Sequence, residues 1–194
     1  IIERITNAYD ANIELRQRLN ARDSLPSSPR KAIEKWFNVP QGDTGKFAIS
    51  LNNDERTKLA STSKVEFFDS GEDSRPTISI RDYGIGQHPT NFQSTLLRLG
   101  DSNKISSPHL HGTYGHGGSS TYRFCEYSLI ISRRHKDALD GKKDLIGWTI
   151  VRKDSAMSIY SEKDNGQVVQ IKKPPVYEYL CLTSGELPCQ SPGE

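Results

Sequence analysis

The chain lacks any apolar run long enough for a helix to cross a membrane. Its most hydrophobic pieces, such as Leu129 to Ile131, are strand-sized, against the roughly 20 residues a spanning helix needs. No membrane partner is expected. It also lacks an excess of either charge: 26 Lys and Arg stand against 24 Asp and Glu, a formal net charge of +2. That balance is too even to mark a phosphate backbone or an anionic membrane as the main partner. Cysteine is scarce and odd in number, at Cys125, Cys181 and Cys189. This suits a reducing compartment better than a disulfide framework, so a cytoplasmic address is expected. A starting methionine and a charged, apolar, small-residue leader are missing too, so the chain reads as a segment of a longer protein. Internal repeats are absent.

What remains is enough for a folded core. Of 194 residues, 34% are hydrophobic and 26% charged, which is polar for a globular domain but too rich in Ile, Leu, Val and Tyr for a disordered one. One compact domain without disulfide help is the expectation.

Ile1 to Arg22 contains no Pro or Gly and reads as a helix, with Ile2, Ile5, Tyr9, Ile13 and Leu19 on one apolar arc. Glu3, Asn7, Asp10 and Glu14 fall opposite, within a sector of roughly 60° at the helical period. Residues 23 to 64 mix Pro26, Pro29, Pro40, Gly42 and Gly45 with short apolar pieces and read as a variable insertion. From Lys64 the pattern becomes β: Val65 to Phe68, a turn, then Thr77 to Arg81 with Ile78 and Ile80 alternating against polar neighbours. Thr90 to Leu99 predicts a helix, and Ser119 to Glu126 another after a glycine-rich loop. Strands are predicted over Tyr127 to Arg134, Leu145 to Lys153, Ala156 to Ser161 and Gln167 to Lys172, punctuated by Asp140-Gly141 and Asn165-Gly166. Pro174-Pro175 is read as the end of regular structure, with 174–194 a linker or tail toward a missing C-terminal region. Helices segregated from hairpin-connected strands predict an α+β two-layer sandwich, helices on one face of a mostly antiparallel mixed sheet.

Three stretches carry chemistry. On the first helix, a carboxylate can accept a proton from an attacking water, while an amide oxygen one turn later can ligate Mg²⁺; most such stripes are simply a wet helix face. In Arg81-Asp82-Tyr83-Gly84-Ile85-Gly86 the carboxylate can accept a hydrogen bond from an exocyclic amine such as adenine's, and the glycines let backbone approach a planar ligand. An ordinary strand-ending turn uses the same residues. In Gly112-Thr113-Tyr114-Gly115-His116-Gly117-Gly118-Ser119-Ser120, glycines ahead of a helix expose N–H groups to phosphates, or form a plain surface loop. The Gly-Lys-Ser/Thr ending of a P-loop is absent, and no strand precedes the glycines as a dinucleotide fold requires.

In this order the three stretches resemble the GHKL ATPase superfamily, which includes DNA gyrase B subunits, the ninety-kilodalton heat-shock chaperones, MutL and MORC proteins and sensor histidine kinases. The matching pattern is Glu3-x3-Asn7-x2-Asp10-Ala11, then Asp82-x-Gly84-x-Gly86, then Gly112-x2-Gly115-x-Gly117. Asp101-Ser102-Asn103-Lys104 is similar to the Ser/Lys element that opens the family's lid. The resemblance implies an ATP-binding domain over residues 1–173, with 23–64 inserted. It makes Glu3 the base that activates water, Asn7 the Mg²⁺ ligand, and Asp10 a residue steadying that helix face. Asp82 would read the adenine amine and Gly86 line the base pocket, with Gly84 beside them. Lys104 would approach the terminal phosphate, while Gly112, Gly115, His116, Gly117, Gly118 and Ser119 belong to the phosphate loop.

Departures from the family pattern matter as well. Gly166-Gln167 stands where many members carry Gly-Thr, and Gln87 where many carry an apolar residue. The Asp10-Ala11 ending, with no phosphoacceptor histidine, favours the gyrase, chaperone, MutL and MORC branch over the kinases. His109, His111 and His116 could ligate a transition metal, but no cysteine cluster lies near them in the sequence, and a metal site there is not expected. Arg133, Arg134, Lys136, Lys142 and Lys143 are interspersed with Asp137, Asp140 and Asp144, the pattern of a solvated hairpin, so nucleic acid is not indicated. Trp36 and Trp148 read as packing aromatics. The expected activity is Mg²⁺-dependent ATP hydrolysis, with lid closure driving conformational change or homodimerisation through flanking regions. The rival is a switch that binds ATP or ADP without hydrolysing it alone.

Overall fold

The computed structural model describes residues 2–41, 46, 49–72, 75–97, 121–153, 158–162, 168–172 and 177–193. The first helix, α1 (Ile2–Leu19), carries Glu3 in its first turn and Arg16 and Arg18 in its last, which suits the helix dipole at both ends. Its buried residues are Ala8, Asp10, Asn12 and Ile13. The expected apolar arc is therefore only partly inward: Ile13 is fully buried, but Ile2 is 81% exposed and Ile5 and Leu19 lie open. The reason is that α1 docks through a side rich in small and polar residues, which lets backbone come close.

Among the described residues, the stretch read as an insertion includes two helices whose starts carry a sequence signal. In α2 (Pro29–Trp36), the Ser28 side chain accepts from the Lys31 N–H and proline occupies the first turn, a standard start. Its Ala32 and Trp36 join Ile13 in a small core, with Tyr9 and Phe37 packed against it. In α3 (Asn53–Ala60), Asn52 and Glu55 form a reciprocal capping box with both bonds at 2.9 Å. No residue of α3 is buried.

The strands are β1 (Ser63–Phe68), β2 (Thr77–Asp82), β3 (Tyr127–Arg133), β4 (Ile146–Lys153), β5 (Ser158–Glu162), β6 (Val168–Lys172), β7 (Tyr177–Tyr179) and β8 (Cys189–Gln190). Strand β1 pairs β2, β3 pairs β4, and β5 pairs β6, all antiparallel. Two departures from expectation stand out. Among the described residues the ladders form three separate sheets rather than one. And the segment expected to be a linker is structured, because β7 and β8 both pair with β4. The fully buried Thr149 donates from Oγ1 to the Leu180 carbonyl at 2.8 Å, and Leu187 is buried.

The first two hairpins are joined at two points. Arg75, ahead of β2, pairs with Glu126, ahead of β3, at 2.7 Å; past the strands, the His135 N–H donates to the Ile85 carbonyl at 2.9 Å. These ties set β2 and β3 in the same direction. Helix α1 lies against β1 and β2, so helix and sheet form the α+β arrangement that positions the site.

Two predicted helices are shorter than expected. Over 90–97 the chain makes one 3-10 turn, Pro89–Asn91, followed by further turns. Ser94 and Thr95 turn their hydroxyls onto the Asn91 carbonyl at 3.0 and 2.7 Å, and such bonds compete with a regular helical ladder. Of the Ser119 to Glu126 stretch, the described residues 121–126 hold one 3-10 turn, Thr121–Phe124.

Candidate functional site

The described part of the site is built where α1 meets the turn after β2. Asp82 ends β2 and its Oδ1 accepts the Gly84 N–H at 2.9 Å, an Asx turn that reverses the chain. This is its one hydrogen bond among the described residues, and Oδ2 is left for another donor. The residue keeps contact with solvent. Even so, the protein around the carboxyl displaces enough water that desolvation pushes its pKa up, against a smaller opposing effect of the Gly84 N–H.

Immediately beyond, backbone meets backbone. The Ile85 N–H donates to the Ala11 carbonyl of α1 at 2.9 Å. A Cβ on Gly84 would lie 2.6 Å from that carbonyl oxygen and 2.7 Å from the Ala11 Cβ. Gly86, at φ +61, has the Arg133 carbonyl in the space a side chain would take, and Arg134 donates to the Gly86 carbonyl at 2.8 Å. The space a side chain would take at these two glycines is filled by α1 and by the end of β3.

The sequence-derived α1 residues share one docked helix but not one environment. Glu3 is exposed; Asn7 is half-buried, and its side-chain amide meets no hydrogen-bond partner among the described residues. Asp10, expected on a wet face, is fully buried. It precedes Ala11, whose carbonyl meets the Gly84 turn. One residue back, Tyr9 has its phenol pushed up to about 12, mainly by burial and secondarily by the Asp10 charge.

The helix start reaches the end of the glycine segment. Arg4 donates to Thr121 Oγ1 at 2.9 Å and its guanidinium lies 5.2 Å from the Tyr122 ring centre. Tyr122 in turn donates from its hydroxyl to the Leu96 carbonyl at 3.0 Å. Lys104, Gly112, Gly115, His116, Gly117, Gly118 and Ser119 lie outside the described residues, as do His109, His111 and Gly166-Gln167. Among the described residues no group of His, Cys, Asp and Glu is arranged to hold a metal ion, and no helix is long and apolar enough to cross a membrane.

Other residues find plain structural uses. Arg133 makes a two-pronged pair with Asp144 at 2.9 and 2.6 Å, and Arg18 reaches the Asp137 carbonyl and the Asp140 carboxylate. The hairpin charges thus serve the fold. Trp36 is core. Sequence reading missed Asn12: its Nδ2 lies 2.8 Å from the Ala8 carbonyl, 3.3 Å from the Thr62 carbonyl and 3.3 Å from Ser63 Oγ. The available signal was an asparagine inside a helix, where that residue type is unfavourable unless its amide is used. Compared with protein-family models, curated proteins and solved structures, the chain matches none.

Proposed function

We propose that this chain is an ATP-binding module of the GHKL type that hydrolyses ATP with Mg²⁺ and uses closure of its glycine-rich segment to move or dimerise parts of a larger protein. The observation that carries the reading is the docking of the acid-amide-acid helix, at Ala11, on the very turn that presents Asp82. Two motifs far apart in sequence meet at one place, as a single nucleotide site requires. A one-sheet GHKL sandwich is part of the proposal; the common direction of β2 and β3 supports it.

The residues present suit the groups invoked. Asp82 Oδ2 is an acceptor aimed at no described protein donor, which fits an adenine amine and rejects the guanine carbonyl. Asn7 has an amide oxygen that meets no partner among the described residues, the hard donor Mg²⁺ prefers; bound there, the ion would neutralise phosphate charge. Water attacks the terminal phosphorus, its proton passes to the Glu3 carboxylate, and the bond to the ADP oxygen breaks. Lys104 and the backbone N–H groups of Gly115, Gly117 and Gly118 would stabilise the charge that develops.

Calorimetry with Mg²⁺ and ATP tests the reading. The native chain is expected to bind ATP and to take GTP poorly, and Asp82→Asn to lose most of that binding. Absence of heat with the native chain, together with an unchanged Asp82→Asn, would sink it. Glu3→Ala is expected to keep binding while phosphate release stops. Equal release from both proteins would remove Glu3 as the base.

A further inference from the structure

The Thr62 carbonyl takes hydrogen bonds from two directions. One donor is Asn12 Nδ2 in α1, at 3.3 Å; the other is the backbone N–H of Tyr83, at 3.0 Å. Tyr83 follows Asp82 directly, and Ser63, whose Oγ also lies within reach of Asn12, is the register partner of Asp82 across the β1–β2 ladder. Asn12 is buried to 9% exposure. Its amide has two hydrogens: one satisfies the Ala8 carbonyl within the helix at 2.8 Å, the other is shared between the Thr62 carbonyl and the Ser63 hydroxyl oxygen. The same oxygen thus receives the helix that carries Asn7 and Asp10 and the residue next to Asp82.

We propose that Asn12 is a positioning residue of the nucleotide site, holding the Asp82 turn at a fixed offset from the Asn7 and Asp10 face of α1. This rests on the ATP reading for its functional meaning, but the geometry it asserts does not. The contact at Ala11 is backbone to backbone and fixes closeness; Asn12 adds a side-chain tie at the base of β1. Together they give α1 two attachments to the element bearing Asp82, so the helix neither slides nor pivots against it. A site that discriminates by one hydrogen bond depends on such placement, because a misplaced acceptor no longer distinguishes an amine from a carbonyl.

The chemistry separates the roles of the two hydrogens. In Asn12→Ser the hydroxyl still donates to the Ala8 carbonyl, as serine does inside helices, but is too short to reach Thr62 or Ser63. In Asn12→Gln an amide donor is kept. Ile13→Val serves as the control, removing one methylene from the adjacent core without touching the tie.

Two measurements are made on folded protein, verified by circular dichroism. The first is the midpoint of the Asp82 carboxyl titration, followed by carbon NMR. In Asn12→Ser it is expected to fall toward the ordinary carboxyl value as the turn loosens and rehydrates, in Ile13→Val to stay put, and in Asn12→Gln to be largely restored. The second is the ratio of ATP to GTP affinity, expected to drop by about tenfold or more in Asn12→Ser and to hold in the control. A native chain that binds no ATP would defeat the ATP reading and leave the first measurement to decide the tie. A native chain that binds ATP, with midpoint and ratio both unmoved in Asn12→Ser, would overturn the positioning role alone. Should Asn12→Ser fail to fold while Ile13→Val folds, Asn12→Thr decides, since its hydroxyl also reaches only the Ala8 carbonyl: a lowered midpoint supports the tie, and a native midpoint refutes it.

Discussion

Gly84 illustrates how a motif residue is fixed by its neighbours rather than by a ligand. Any side chain there meets the backbone and Cβ of Ala11, atoms that move only if α1 moves. Gly84→Ala is expected to cost about 1–3 kcal/mol or more, seen as a lower urea midpoint with an unchanged slope. Asp82 makes the opposite prediction. Its folded pKa lies above the ordinary 3.8 because burial disfavours the charged form, so the native state holds its proton more tightly than the unfolded chain. Its contribution to stability is whole below that ordinary value and is lost as pH rises through the folded one. Asp82→Asn keeps the Asx turn and removes that loss. The variant should therefore gain stability relative to native as pH rises from about 4 toward neutrality, measured by urea unfolding at several pH values. Tyr9 adds a spectroscopic check: with its phenol near 12 against an ordinary 10.0, stability falls as pH climbs through that interval. Tyr9→Phe should delete the high-pH step in tyrosinate absorbance.

At the level of elements, the C-terminal strands carry the clearest prediction. Strand β8 pairs with β4, the neighbouring Leu187 is buried, and the Trp148 backbone N–H donates to the Pro188 carbonyl at 3.0 Å. Removing residues 177–194 is expected to lower the melting temperature by several degrees, on the scale of about 4–8 °C per kcal/mol for a small domain. A free linker would give no change. These strands were illegible in the sequence because they are only three and two residues long, too short for a period, and β4 alone makes them strands. By contrast α1 and the hairpins β1–β2, β3–β4 and β5–β6 were legible, since their patterns are local: an unbroken helical stretch, Ile78 and Ile80 in alternation, turn dipeptides between runs. Asp140 and Gly141 indeed take positive φ, +50 and +80, as such a dipeptide predicts. The burial of Asp10 was hidden for the same reason as β8. Which face of an amphipathic helix is covered depends on what docks, and here the docking partner lies some seventy residues away, at Gly84.

For the whole molecule, binding is expected to appear as stability. A ligand that recognises only the folded chain raises its melting temperature, by about 2.7 kcal/mol of stabilisation at a hundredfold excess over Kd, so ATP with Mg²⁺ should shift thermal unfolding while GTP shifts it little. Helix α1 is tied at Thr121, at Thr62 and at Asp140 along its length. The bond from Tyr122 to the Leu96 carbonyl has a separate meaning. It clamps together the entry and exit of a long stretch, much as the neck of a purse is drawn shut. The spacing of Leu96 and Tyr122 is thereby set by the scaffold itself, whatever sequence runs between them.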